Sequence, residues 1–281
     1  MEFFAILIAW AAVQFWGSGV VVQKDDWIAQ FRRVLRYVQT VRLRLVIFLA
    51  APALLVAVIL WLLGPLLFGL PFFLLSVLIL LYSLGRGDFQ TRLRLYLNSW
   101  QRGDLEGAYL HAQQFSPELC DSGAENAEEL HSAVRKAVFY QGFERWFAAV
   151  FWFFALGPAV ALLYRLLFIA SRHDSFDQEE RDQAKLWLYY AEWIPVRLLG
   201  FAFALVGDFD GSFRKWRESL MSDLPAEDYL DALGCLSLPC TAHTDDGQFT
   251  QNAAKELQCV QQMLSRSLLC WIAVMALMQL F

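Results

Sequence analysis

Two charged residues and a proline crowd the head of an otherwise apolar run. They are Glu192, Pro195 and Arg197, in and just before WIPVRLLGFAFALVG (residues 193–207). Pro195 has no N–H, so a helix through it loses the bond to the Ala191 carbonyl, and Ile194 is pushed away from helical geometry. The spacing therefore predicts a helix break at Pro195. A helix ending near Glu192 sets a carboxylate at its negative pole, and one beginning near Arg197 sets a guanidinium at its positive pole. Left alone at mid-bilayer, each charge would cost about 2.5 to 3.5 kcal/mol on insertion scales. Two arrangements relieve this. In the first, and preferred, Glu192 and Arg197 pair across the break. In the second, Arg197 and the freed N–H groups of the downstream half bind an anion while Glu192 addresses a cationic or hydroxyl group of the same ligand.

The other residues with chemical potential read more simply. Glu144 and Arg145 stand at one end of an apolar stretch and Arg165 near its far end, which predicts interfacial anchoring, with a ligand-facing role for Glu144 and Arg165 as the alternative. Asp208 and Asp210 in GDFDGS have the form of a turn and helix cap before that of a cation site. Cys235, Cys240 and His243 loosely resemble a metal site but lack a fourth ligand at zinc-like spacing. His111, His131 and His173 read as surface or packing residues. There is no phosphate-binding glycine loop, no His-Glu-x-x-His and no serine triad order, so neither a metal, a cofactor nor a catalytic residue is expected.

These residues need an apolar scaffold. Hydrophobic residues make up 58% of the 281 positions and charged ones 18%, beyond what a soluble core requires. The apolar runs predict membrane segments at 3–22, 45–63, 67–84, 146–170, 186–207 (broken or re-entrant at Pro195) and 264–281, the last needing Arg266 to snorkel. The turn between the second and third falls at Gly64-Pro65 through Gly69 to Pro71. With Glu2 where a signal peptide has basic residues, the first run reads as a retained span. Lys24, Arg32, Arg33, Arg36, Arg42 and Arg44, then Arg86, Arg92 and Arg94, then Arg214, Lys215 and Arg217, mark their loops as cytoplasmic. Between Asp25 and Arg44, apolar Trp27, Phe31, Val34, Leu35 and Val38 alternate with Arg32, Arg33 and Arg36 at helical spacing. Such a helix either lies in the lipid interface or packs on the protein's own surface. The longer loops are helical, with Asp88 and Asp104 as N-caps, a turn at Arg102-Gly103 and a capping box at Asn126 and Glu129. From Gln248 a helical pattern merges with the final span. Five cysteines in or near reducing loops predict free thiols. The whole is expected to be one all-α membrane body over 1–281.

LYSLGRGD (81–88), FERWFAAVFWFFALGPAVALLYRL (143–166) and EWIPVRLLGFAFALVGDF (192–209) resemble the AmpE family of Gram-negative inner-membrane proteins. That likeness implies a multi-pass inner-membrane protein tied to cell-wall-recycling signalling and β-lactamase induction. AmpE proteins are in turn similar to the CobD/CbiB cobalamin-biosynthesis proteins, which implies a CobD/CbiB-like helical fold. The acidic motifs of those enzymes are missing here. Tyr140 and Gln141 replace Glu and Asn, Phe168 and Ser171 replace Asn and Asp, Tyr189 and Tyr190 replace two acids, and Glu192 replaces an Asn. Magnesium-dependent ligation needs such carboxylates, so corrinoid chemistry is not expected.

The sequence thus points to a regulatory or sensor protein without catalysis. Its expected partners are the lipid bilayer and either cell-wall-recycling components or an anionic small molecule, with no nucleic acid. The runner-up is a membrane enzyme using the same scaffold on another anionic substrate, and the third reading is a transporter component, which the absence of an internal repeat disfavours.

Overall fold

A computed structural model describes residues 2–16, 23, 25–65, 67–85, 89–115, 126–239 and 249–279. Among them every regular element is helical, so the protein is all-α. Two compact units divide the chain, Met1–Gly87 with Glu144–Pro195 and Asp88–Phe143 with Val196–Phe281.

In the first unit the helix Pro158–Arg172 is central, packing against Val41–Leu63, Leu70–Ser83 and Ala149–Leu156. It can do so because Ala161 and Ala170 are small and fully buried, letting the backbones close on one another where no hydrophobic effect drives helices together. Phe48, Leu80, Phe153 and Tyr164 fill the space around it. Val41–Leu63 and Leu70–Ser83 are joined by a tight turn in which Phe68 (φ 56°) and Gly69 (φ 77°) both take left-handed geometry. The fully exposed Phe68 ring stands at its tip.

In the second unit Ala127–Gly142 is central, against Leu105–Ala112, Ala226–Ser237 and Phe249–Met278. Its start is the expected capping box position, where Asn126 accepts from the Glu129 N–H at 2.8 Å. Asp104 likewise accepts from the Gly107 N–H at 2.9 Å, and Gly103 (φ 74°) turns Phe89–Gln101 into Leu105–Ala112. Asp88 lies outside the described residues. Gly234 is pressed on the Phe139 ring so closely that a Cβ there would collide with it.

Among the described residues three helices are long and apolar enough to cross a membrane: Val41–Leu63, Gln178–Val206 and Asn252–Met278. Glu2–Val13 and Leu70–Ser83 are shorter apolar helices. The final segment is thus the end of a 30-residue helix, Phe249–Met278.

The structure moves the break. The sequence places it at Pro195 and leaves 146–170 intact, but Gln178–Val206 is helical through Pro195 and the break falls at Gly157. Gly157 has φ 89° and ψ −179°, a region open essentially to glycine alone, and Pro158 then occupies the first turn of the next helix. Pro195 costs its helix one hydrogen bond. Neither Ile194 nor Val196 beside it can take the positive-φ geometry of Gly157, and a backbone opened in lipid would leave its polar groups unsatisfied, so the chain keeps its course. The 146–170 stretch is accordingly two packed helices, not one span.

Candidate functional site

The break at Gly157 assembles the first candidate site. Arg165 is 21 residues from Glu144, and on one straight helix they would stand about 30 Å apart. The reversal at Gly157-Pro158 instead brings the Arg165 Nη1 to the Glu144 Oε1 in a buried ion pair. Interfacial anchoring at opposite ends is therefore replaced by mutual neutralisation. The guanidinium also lies over the Phe168 ring, 5.0 Å from its centre. Glu144 itself sits in a π-helical segment, Phe143–Ala148, whose wider turn takes one carbonyl off the usual ladder. The Arg145 carbonyl accepts from the Gly85 N–H at 3.0 Å, and no side chain fits at Gly85 because its Cβ would overlap Arg145.

One residue before Arg165, the Tyr164 hydroxyl donates to Glu192 Oε1 at 3.0 Å, with Glu192 buried. The first unit therefore holds two buried polar pairs, Glu144 with Arg165 and Tyr164 with Glu192. Arg197 belongs to the second unit. There its Nε and Nη2 donate to the carbonyls of Leu220 (3.2 Å) and Ser222 (2.6 Å), just past the end of the helix Phe209–Ser219. The guanidinium lies 4.7 Å from the centre of the Tyr229 ring, and Trp216 Nε1 donates to the Arg197 carbonyl at 2.8 Å. A cation at a helix C-terminus, bonded to its last carbonyls, is a stable cap. The continuous helix leaves no freed N–H row beside Arg197, so an anion site of that form is not built here. Asp208 stands at the N-cap position of Phe209–Ser219 without a side-chain bond to the helix, and Asp210 lies in its first turn.

Two further clusters escape sequence reasoning. In the second unit, His131 is buried with its Nε2 3.2 Å from Glu256 Oε2, and Arg135 Nη1 donates to the other Glu256 oxygen at 2.9 Å. Arg135 also grips Asp231 with Nε and Nη2 at 2.8 and 3.2 Å. The 131/135 and 231/235 spacings, one helical turn each, are the signal that could have exposed this cluster. Burial works against the Arg135 charge, yet Asp231 and Glu256 hold its pKa above the ordinary guanidinium value. Burial, with Asp231 beside it, pushes the Cys235 thiol up to about 12. His131 is thus a paired core residue.

In the first unit, Arg32 donates to both oxygens of Glu180 at 2.8 and 2.5 Å, and Arg44 Nε adds a third bond at 2.5 Å. Glu180 is wholly buried and also accepts from the Asp177 N–H at 3.0 Å, the reciprocal half of a capping box. Asp-x-x-Glu at 177–180 was the available signal. The buried face of Asp26–Leu35 is accordingly Ile28, Arg32 and Leu35, with Val34 exposed, so Arg32 does not share the outer face with Arg33 and Arg36.

Among the described residues no three His, Cys, Asp or Glu side chains come together as metal ligands. Cys240 and His243 lie outside the described residues. Cys235 and Cys270 carry free thiols, whereas Cys259 is disulfide-bonded, against the expectation of free thiols throughout. In the second unit an open groove of about 460 Å³ is lined mainly by Leu105, Tyr109, Leu110 and Leu130, and none of the predicted site residues reaches it.

A family model described as "Regulatory signalling modulator protein AmpE" matches residues 1–281. The curated Protein AmpE of Shigella flexneri is 25% identical over 193 residues, covering 64% of this chain and 66% of that protein, just under two thirds of its length. No solved structure matches.

Proposed function

Because the chain belongs to the AmpE family of regulatory signalling modulators, we propose that this regulatory membrane protein is a multi-pass component of the bacterial inner membrane that modulates cell-wall-recycling signals leading to β-lactamase induction. The observation that carries the proposal is the family match along every residue of the chain. The geometry adds support from a different direction. The charged side chains marked for ligand chemistry have protein partners, with Glu144 on Arg165, Glu192 on Tyr164 and Arg197 on two carbonyls. Groups so engaged hold helices in place and are poorly set for turnover, which favours a modulator over an enzyme.

The test uses Glu144 and Arg165. Breaking a buried pair from one side costs about 3 to 5 kcal/mol because it strands a charge, whereas removing both charges restores much of it. In a host where deletion changes β-lactamase induction, Glu144→Gln and Arg165→Gln should each lower membrane abundance and thermal stability, and the double variant should recover both together with normal induction. A stable double variant that fails to induce would show that these groups meet a ligand, and a deletion with no effect on induction would remove the proposed role.

A further inference from the structure

The loop between the first two apolar segments carries more arginine than its ion pairs use. Arg32 and Arg44 are spent on Glu180 and Asp177. Arg33 and Arg36, one helical turn apart, are exposed and pair with no acid among the described residues. Beside them Val34 is 65% and Tyr37 90% exposed, and Leu43 and Val46 continue the exposed apolar surface into the helix Val41–Leu63. Arg42, also exposed, donates to Gln183 at 3.0 Å. From residue 29 to residue 46 the sequence contains no acid.

The position of this surface is fixed by its other contacts. Trp27 Nε1 donates to the Tyr82 hydroxyl at 3.2 Å, and Tyr82 donates to Asp25 Oδ1 at 3.0 Å. Gln23 Nε2 donates to the carbonyls of Leu81 and Leu84 at 3.0 and 3.2 Å. Trp27 stacks on Phe48. Arg32, as described, reaches the first turn of Gln178–Val206. The helix Asp26–Leu35 is therefore held where one apolar helix begins (Val41), another ends (Ser83) and the charged first turns of a third (from Gln178) precede its apolar part. That level is one edge of the hydrocarbon layer, and Trp and Tyr at such an edge belong to the headgroup zone.

We propose that Arg33, Arg36, Val34 and Tyr37 form a docking surface for anionic phospholipid headgroups, with Arg42, Leu43 and Val46 extending it along the emerging span. Two free cations facing the same way meet the phosphate, while the Tyr37 ring and the Val34 side chain enter the acyl boundary. The membrane is favoured over an acidic protein partner because the surface is continuous with an apolar helix that a soluble partner would leave uncovered. The inference rests on the membrane reading of this protein.

The full chain, reconstituted into nanodiscs of phosphatidylglycerol and phosphatidylcholine, is released and its retained lipids counted by native mass spectrometry. A basic residue near an anionic surface contributes about fivefold in affinity, so the preference of the wild type for phosphatidylglycerol should fall about 25-fold in Arg33→Gln/Arg36→Gln. Arg33→Lys/Arg36→Lys should keep most of it. Both pairs are exposed and outside the Glu180 network, so thermal stability should not change. Equal retention of the two lipids by the wild type, or an unchanged preference in the glutamine double variant, overturns the inference while leaving the membrane reading intact. Failure of the wild type to enter nanodiscs at all would overturn both.

Discussion

At the scale of single residues, Arg197 and Glu192 differ in how much depends on them. Arg197 satisfies two carbonyls at the end of a helix, and a buried hydrogen bond to a charged group contributes about 1.5 to 3 kcal/mol. Arg197→Gln should therefore destabilise the protein by about 2 to 4 kcal/mol, read as a lowered Tm in detergent. Glu192→Gln keeps a carbonyl oxygen able to accept from Tyr164 and should be mild. If the two acted only as a mutually neutralising pair, the double variant would be more stable than Arg197→Gln alone; with Arg197 as a helix cap it should be no better. Cys235 offers a pH test. Its pKa is raised, so the thiol stays protonated and unreactive through the range where an ordinary cysteine becomes thiolate. Alkylation of Cys235 by iodoacetamide should remain slow from pH 7 to pH 9, and a steep rise across that interval would contradict the burial described. The stability contributed by keeping this group neutral is present below pH 9 and is lost only as pH climbs towards about 12.

At the scale of elements, the two proline-bearing segments make opposite predictions. Pro195→Ala returns a backbone donor to a helix that is already continuous and should leave stability unchanged or raise it by up to about 1 kcal/mol. Gly157→Ala forces a Cβ into a φ near 90° and should cost about 1 to 3 kcal/mol, read by thermal unfolding of the detergent-solubilised protein. The sequence carries both signals in the same form, a proline in an apolar run. What separates them is the preceding residue, since Gly157 can take a φ near 90° and Ile194 cannot. The capping positions at Asp104 and Asn126, the turn at Gly103 and the all-helical character were legible because each depends on residues within a turn of one another. The partners of Arg32, Arg165 and Glu256 were not, because they lie 148, 21 and 125 residues away and depend on which helix faces pack together. Helical periodicity alone could not assign Arg32 to the inner face of its helix, since an arginine is counted as polar until its carboxylate is found.

For the whole molecule, the positive charge of the loops predicts that residues 24–44 and 86–115 face the cytoplasm. Single cysteines in a cysteine-free background at Gln30 and Leu110, both exposed in the fold, should be protected from membrane-impermeant reagents in intact cells and labelled after permeabilisation. A position such as Leu230, fully buried, would be protected on either side and decides nothing. Labelling of position 110 in intact cells would reverse the orientation.

The pairing of Glu144 with Arg165 has a consequence for how the protein is made. The acid leaves the ribosome 21 residues ahead of its partner, and at about 5 to 20 residues per second it waits roughly one to four seconds for the base to follow. Entering the bilayer alone during that interval, it would carry an uncompensated charge. The segment from Glu144 through the Gly157 reversal to Arg165 is therefore suited to leave the translocon as a hairpin, with both charges crossing into lipid together. A delay in translation between the two codons would act on biogenesis without altering a single contact of the finished fold.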